Sequence, residues 1–410
     1  MQDLGSFTPN AWHNPRLGGR IRELDGVRGL AILLVLIYHY FAITIVTRPG
    51  TWERLAVHAL DFTWSGVDLF FVLSGLLIGG ILIDAQHAPN FYRTFYLRRI
   101  HRIFPIYYLW LGLFVLGWGL APVAGHAALS SASLAIFNHS IPFWSYPLFL
   151  QNFAMASRGE FGAQWLAVTW SLAIEEQFYL LLPCLIRNIS RKSIPWIAAG
   201  MIALAPLARI SLYLAANSYL GPYTLLPCRM DALGWGLLLA WVLRNQPLNE
   251  MLERHRNEVR WMAVALAALV LTLMTRPVMS VAFMGLGYSS IAAFYALALL
   301  LVTENPGRVG RQVLGSKFLV GLGSIAYAVY LFHQGVSYLW HAVVFAKPPR
   351  VDSWQTLGVT LVALLSTIVL AMLSWRFIEA PLVDRAHRTT AYETAAAESL
   401  ASGRAHSASV

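Results

Sequence analysis

Asp25-Gly26-Val27-Arg28-Gly29-Leu30-Ala31-Ile32-Leu33-Leu34-Val35-Leu36-Ile37-Tyr38-His39 opens with charge, runs apolar for a helix's length, and then sets one imidazole inside an apolar segment. Arg28 and His39 are eleven residues apart. At about 100° per residue their side chains fall within roughly 20° of the same helix face. The rise between them is about 16 Å, near half of a hydrocarbon core roughly 30 Å thick. With Arg28 at the membrane surface, His39 lies near the midplane, where an ionisable group is costly unless it is paired or reaches water.

The composition agrees with a membrane setting. Of 410 residues, 57% are hydrophobic and 12% charged, about half the charged share of a soluble domain. The formal charge of +10 is distributed between apolar spans, as topology determinants are, so nucleic acid is not an expected partner. Runs long enough to span are 27–46, 64–83, 103–121, 165–186, 195–216, 225–243, 261–276, 284–302, 318–340 and 355–378. The expected fold class is therefore an all-α polytopic membrane protein of about ten transmembrane helices. With the N-terminus inside, inner segments carry 21 Lys and Arg and outer segments six, namely Arg48, Arg54, Arg158, Arg276, Lys347 and Arg350. That excess predicts both termini in the cytoplasm and a plasma-membrane location. The chain divides into a polar segment 1–21, a membrane domain 22–382 and a flexible tail 383–410. The opening lacks the pattern of a cleaved signal peptide, so the first apolar run reads as a retained helix. The apolar piece Tyr146–Met155 is too short to cross and reads as a surface or re-entrant element on the outer side. Cys184 and Cys228 sit in apolar segments and read as buried free thiols.

Polar groups inside the spans are the candidate site residues. His39 in its neutral form can take a proton from a hydroxyl, the work of a general base, although a lone intramembrane histidine can also be structural. Asp25 caps the first helix or holds Arg28. Asp68 lies about 6 Å into the second span. Ser74, Gly75, Gly79 and Gly80 point to close helix packing. Arg98, Arg99 and Arg102 stand together where the inner loop meets the third span; they serve as a topology signal or as a phosphate clamp. Glu175, Glu176 and Gln177 form the least lipid-like patch, about 15–18 Å deep in the fourth span, with one glutamate facing His39. Arg229 and Asp231 diverge on their helix, so each needs a partner elsewhere, Asp68 being the candidate for Arg229. Tyr327, Tyr330 and His333 drift along one face of the ninth span.

Leu-Asp-Gly-Val-Arg-Gly-Leu-Ala at 24–31, Gly-Val-Asp-Leu-Phe-Phe-Val-Leu-Ser-Gly at 66–75, Arg-Arg-Ile-His-Arg-Ile-Phe-Pro at 98–105, Trp-Ser-Leu-Ala-Ile-Glu-Glu-Gln-Phe-Tyr at 170–179, Arg-Met-Asp-Ala-Leu at 229–233 and Ser-Ile-Ala-Tyr-Ala-Val-Tyr-Leu-Phe-His at 324–333 occur in that order. Together they resemble the acyltransferase 3 family of integral membrane O-acyltransferases. The resemblance covers about Arg22 to Leu382. It implies ten core helices, an acyl-CoA donor with acetyl-CoA the first choice, a hydroxyl acceptor, and no metal. It further implies that Arg28 and His39 are essential and that the arginine cluster serves the donor. Gly29 departs from the alanine or serine common at that position. Some relatives append an extracellular esterase-like domain; here none is expected, so transfer is completed by this domain or handed to a separate protein.

The site assignment that follows has three parts. His39, Glu175 and Glu176 are catalytic. Arg28, Arg98, Arg99 and Arg102 bind the donor. Asp68, Arg229, Asp231, Tyr330 and His333 bind the acceptor, a sugar of a surface glycan or glycolipid. Direct transfer and a covalent acyl-histidine relay both remain open. The alternatives are acylation of a secreted small molecule such as an antibiotic, and a proton-coupled transporter built on the same buried acids and histidines.

Overall fold

The computed structural model describes residues 21–47, 52–120, 135–216, 218–274 and 280–393. Within them the chain is helical. The one β-bridge among the described residues joins Ile45 to Val351. Seven helices are long and apolar enough to cross a membrane: Arg22–Ala42, Val57–Asp84, Phe91–Leu120, Arg191–Ala216, Leu220–Val242, Phe283–Glu304 and Trp354–Thr389. An eighth candidate is a pair, Lys317–Ser324 and Ala326–Phe345, bent by 76°. The chain is a multi-pass integral membrane protein. The expected spans 165–186 and 261–276 correspond to helices Thr169–Asn188 and Arg256–Leu273. Their charges, Glu175, Glu176 and Arg187 in one and Arg256, Glu258 and Arg260 in the other, keep them below that apolar threshold. Of the ten expected spans, seven qualify singly among the described residues, or eight with the bent pair.

The helices that build the site are α1 (Arg22–Ile37), α2 (Gly66–Asp84), α3 (Phe91–Leu120), α4 (Thr169–Asn188), α5 (Leu226–Val242), α6 (Lys317–Ser324), α7 (Ala326–Phe345), α8 (Trp354–Ser374) and α9 (Ala380–Thr389). Lipid offers no hydrophobic drive between helices, so close backbone approach at small residues must supply the packing. An added Cβ at Gly26 would stand 1.7 Å from the Leu314 carbonyl oxygen, and at Gly29 1.9 Å from that of Leu319. At Gly75 it would stand 2.1 Å from the Leu233 carbonyl, and at Gly236 2.1 Å from that of Val72. These contacts lock α1 to α6 and to the helix Gly307–Leu314 before it, and α2 to α5. The departure at Gly29 therefore has a local reason, since backbone fills the space a methyl would take. Gly29→Ala is expected to destabilise the protein by about 1–3 kcal/mol through overpacking, read as a lower melting temperature in detergent.

Three π-turns interrupt the helices among the described residues. One, Tyr38–Ala42, continues α1 and carries His39. Another, Phe283–Gly287, leads into the helix Tyr288–Glu304. The third, Trp375–Glu379, joins α8 to α9. Such single wide turns leave carbonyls unmatched by the regular ladder and free them for side chains.

The structure corrects several expectations. In the middle of the expected surface or re-entrant piece Tyr146–Met155, Gln151 and Asn152 are fully buried. The Gln151 amide donates to the Thr169 carbonyl at 2.8 Å, and the Tyr107 hydroxyl donates to the Tyr146 carbonyl at 2.8 Å. A short segment stays seated because buried polar side chains clasp its backbone. Residues 383–393 are not a loose tail: α9 packs on α3 with Val383 and Ala386 buried, and Thr390 is buried beyond it. Cys184 is exposed, whereas Cys228 is buried as expected. Arg48, Arg276, the segments 1–20 and 121–134, and the tail 394–410 lie outside the described residues.

Candidate active site

A cavity of about 1390 Å³ enters the helix bundle. Along α1 its lining runs from Leu24 through Asp25 and Arg28 to Leu36, a rise of about 18 Å. On the facing helices it is bounded by Arg98, Arg99 and Arg102 of α3 at one end and by Phe70, Ser171 and Tyr330 at the other. One cavity therefore connects the arginine cluster with Tyr330, the neighbour of His39 and His333, which do not themselves line it.

Those histidines form a pair. The His39 and His333 rings meet edge to face, 4.7 Å between centroids. His39 Nδ1 lies 3.0 Å from the Val35 carbonyl, and His333 Nδ1 lies 2.6 Å from the Tyr330 carbonyl. A carbonyl only accepts, so each neutral ring carries its proton on Nδ1 and presents the Nε2 lone pair. His333 is fully buried, and its Nε2 has no hydrogen-bond partner among the described residues. Tyr40, adjacent in sequence, fixes the encounter: its buried hydroxyl donates to the His333 carbonyl at 2.9 Å and lies 2.8 Å from the Thr367 hydroxyl of α8. Tyr330 stands between the cavity and this pair, with its ring 5.6 Å from that of His333 and its hydroxyl 2.5 Å from that of Ser171.

The adjacent glutamates part company. Glu175 lines the cavity and accepts from the Ser74 hydroxyl at 2.6 Å; Ser74 in turn lies 3.1 Å from the Tyr179 hydroxyl. Glu176 does not line the cavity, and its Oε1 is buried without a partner among the described residues. Gln177 turns to the 143–158 segment, donating to the Phe149 carbonyl and to Asn152 Oδ1, each at 2.9 Å. The reason is helical: successive residues are rotated by about 100°. The expectation that a glutamate faces His39 is corrected, because the ring opposite His39 is His333 and no carboxylate contacts His39 among the described residues.

At the arginine end, Arg28 pairs with Asp25 at 3.2 Å. Arg99 lies over the Tyr179 ring at 5.0 Å, and Arg102 lines the cavity beside it. Arg98 is held by Thr390: its Nε donates to Thr390 Oγ1 at 3.1 Å and its Nη2 donates to the Thr390 carbonyl.

The remaining charged candidates sit apart from the cavity. Arg229 pairs with Asp68 at 2.6 Å, both fully buried, as the sequence led one to expect. The guanidinium is wrapped by Tyr288 at 4.4 Å and Tyr223 at 5.4 Å, which adds cation–π attraction at a buried charge. Asp231 pairs with Arg209 at 2.8 Å, a residue the sequence reading left without a role. Arg209 also donates to Ser289 Oγ at 2.7 Å, to the Cys228 carbonyl at 2.5 Å and, at 2.7 Å, to the Met284 carbonyl freed by the second π-turn. Asp68, Arg229 and Asp231 do not line the cavity. Ser171, Ser74, Tyr179 and Tyr40 were likewise missed. Ser171 stands four residues before Glu175 and Tyr179 four residues after it, a spacing that could have marked one polar face.

The acyltransferase 3 family, described as an acyltransferase domain, matches residues 21–376. A peptidoglycan O-acetyltransferase OatA of Listeria monocytogenes is 25% identical over 378 residues, covering 88% of this chain and 56% of that protein. An O-acetyltransferase OatA of Staphylococcus aureus is 27% identical over 387 residues, covering 90% of this chain and 58% of that protein. The chain thus spans a little over half the length of these curated relatives. No solved structure matches. The ordered motifs around Arg28, His39, Arg98, Glu175 and His333 and the match over residues 21–376 lead to one conclusion: this chain belongs to the acyltransferase 3 family.

Proposed function

We propose that this chain is a membrane O-acyltransferase, moving an acyl group, acetyl first, from acyl-CoA to a hydroxyl of a surface-glycan sugar. The observation that carries the reading is the single cavity with arginines at one end and Tyr330, the neighbour of the His39–His333 pair, at the other. All ten helices cross the bilayer of the plasma membrane, both termini are cytoplasmic, and the arginine end faces the acyl-CoA pool. The cation distribution supports that orientation. The two O-acetyltransferase relatives, one named for peptidoglycan, support acetyl as the group and a cell-wall sugar as the acceptor class.

The donor's phosphates sit at Arg99 and Arg102, with Arg28 beside them, and the thioester arm runs along α1 past Glu175 to Tyr330. His39 Nε2 takes the acceptor's proton as the hydroxyl oxygen attacks the thioester carbonyl. The tetrahedral intermediate then collapses, the carbon–sulfur bond breaks, and the thiolate recovers that proton from the imidazolium. His333 and Tyr330 position the acceptor. Glu175, with Ser74 and Tyr179, lines the path of the arm. Glu176, Asp68, Arg229 and Asp231 support the walls.

Transfer of radiolabel from acetyl-CoA to a soluble glycan acceptor, as an alkali-labile ester, by the purified protein in vesicles tests this reading. Solute flux without thioester consumption would establish a permease instead. Arg99→Gln and Arg102→Gln are each expected to weaken acyl-CoA binding about tenfold or more, since each removes charge-assisted bonds to phosphate. The salt dependence of binding should fall with them. Arg98→Gln is expected to cost less, because Thr390 already holds that guanidinium. Calorimetry across a salt series checks all three.

A further inference from the structure

The end of α9 and the four residues after it form a strap across the arginine end of the cavity. Asn90 clasps it at two points: its Nδ2 donates to the Ala391 carbonyl at 2.7 Å, and the Glu393 amide donates to Asn90 Oδ1 at 3.1 Å. Tyr392 stacks against the Arg98 guanidinium, 5.4 Å from ring centroid to Cζ. Both His387 and Tyr392 line the cavity together with Arg98, Arg99 and Arg102. His387 Nδ1 and the Tyr392 hydroxyl are each buried without a hydrogen-bond partner among the described residues. Leaving such groups unmet is costly, and in a cavity wall the natural partner is a ligand. Both residues lie beyond 376, where the family match ends.

We infer that His387 and Tyr392 are donor-binding residues that complete a phosphate site with the arginine cluster, the strap serving as one wall of the acyl-CoA mouth. Three guanidinium groups supply charge, while an imidazole N–H and a phenol O–H supply directed donors to phosphate oxygens. Burial pushes the Tyr392 hydroxyl up to about 12, so it keeps its proton as a donor. Asn90 positions the strap, because its two bonds set the backbone on either side of Tyr392. This inference rests on the acyl-CoA reading above and extends it to residues outside the family's matched region.

The test uses the full chain in bilayer nanodiscs. CoA and pantetheine, which lacks the phosphates, each displace radiolabelled acetyl-CoA. Wild type is expected to prefer CoA. Tyr392→Phe, which keeps the ring on Arg98, and His387→Ala are each expected to weaken CoA about tenfold, in line with loss of one bond to a charged group. Pantetheine affinity should stay unchanged. CoA affinity equal to wild type in both variants overturns the inference while leaving the acyl-CoA reading intact. An equal fall for CoA and pantetheine assigns the two residues to structure and also overturns it. Wild type that binds neither molecule removes the acyl-CoA reading and this inference together. Repeating the series with phosphatidylglycerol in the bilayer separates the two sources of phosphate. CoA affinity that is unaffected by the anionic lipid supports the donor site. Competition by that lipid, abolished in the two variants, would assign the mouth to a lipid headgroup and overturn it.

Discussion

His39→Ala abolishes acyl transfer, by on the order of a thousandfold in turnover, while the protein folds normally and binds acyl-CoA as before. The expectation rests on where the ring is and is not used. Its Nδ1 is tied to the Val35 carbonyl, so Nε2 is the atom left for chemistry. Its packing is modest, because the buried anchor at this point of the chain is Tyr40, bonded to His333 and Thr367. Truncating the imidazole therefore removes the base without removing the clasp. A purified variant with wild-type melting temperature and acyl-CoA affinity but no ester product meets the expectation. Retained transfer would take His39 out of the chemistry and leave the His39–His333 contact as packing. Tyr40→Phe makes the complementary measurement. It keeps the base but loosens the contact, so transfer should fall more than donor affinity.

Asp68→Ala is expected to be the most damaging substitution for stability. It leaves the Arg229 guanidinium in a buried site without its 2.6 Å carboxylate partner. Breaking one side of a buried pair costs about 3–5 kcal/mol, whereas replacing both sides by apolar groups of similar volume is often neutral or stabilising. Asp68→Leu combined with Arg229→Met should therefore recover much of the melting temperature that either single change loses. Activity then separates two roles for the pair. If Asp68 and Arg229 only hold α2 to α5, the stable double variant transfers acyl groups. If they contact the acceptor, it is stable but inactive. Their absence from the cavity lining favours the first result.

How much of this was legible before the structure can be seen residue by residue. The depth of His39, the clustering of Arg98, Arg99 and Arg102, and the need of Arg229 for a partner on another helix all follow from rise per residue and the cost of charge in lipid. Asp68 as that partner followed too, since both residues lie a short way in from the outer ends of parallel spans. The separate fates of Glu175 and Glu176 were not, although a rotation of about 100° between neighbours made them foreseeable in outline. Arg209 is instructive. It was visible as an intramembrane cation, but its main-chain partners, the Cys228 and Met284 carbonyls, come from two other elements that only the packing brings to it.

The sequence by itself determined that this chain is a helical membrane protein of the acyltransferase 3 family, and which ionisable side chains lie within its apolar segments. Hydropathy and helical period are properties of a single segment, so they survive without knowledge of neighbours. Only the tertiary structure decided that His39 meets His333, that Asp231 meets Arg209, and that residues 387–393 close over the arginines. Those meetings depend on which helix faces touch. The faces are set by glycine contacts, a 76° bend and three π-turns, whose effect on direction no periodic pattern along one helix records.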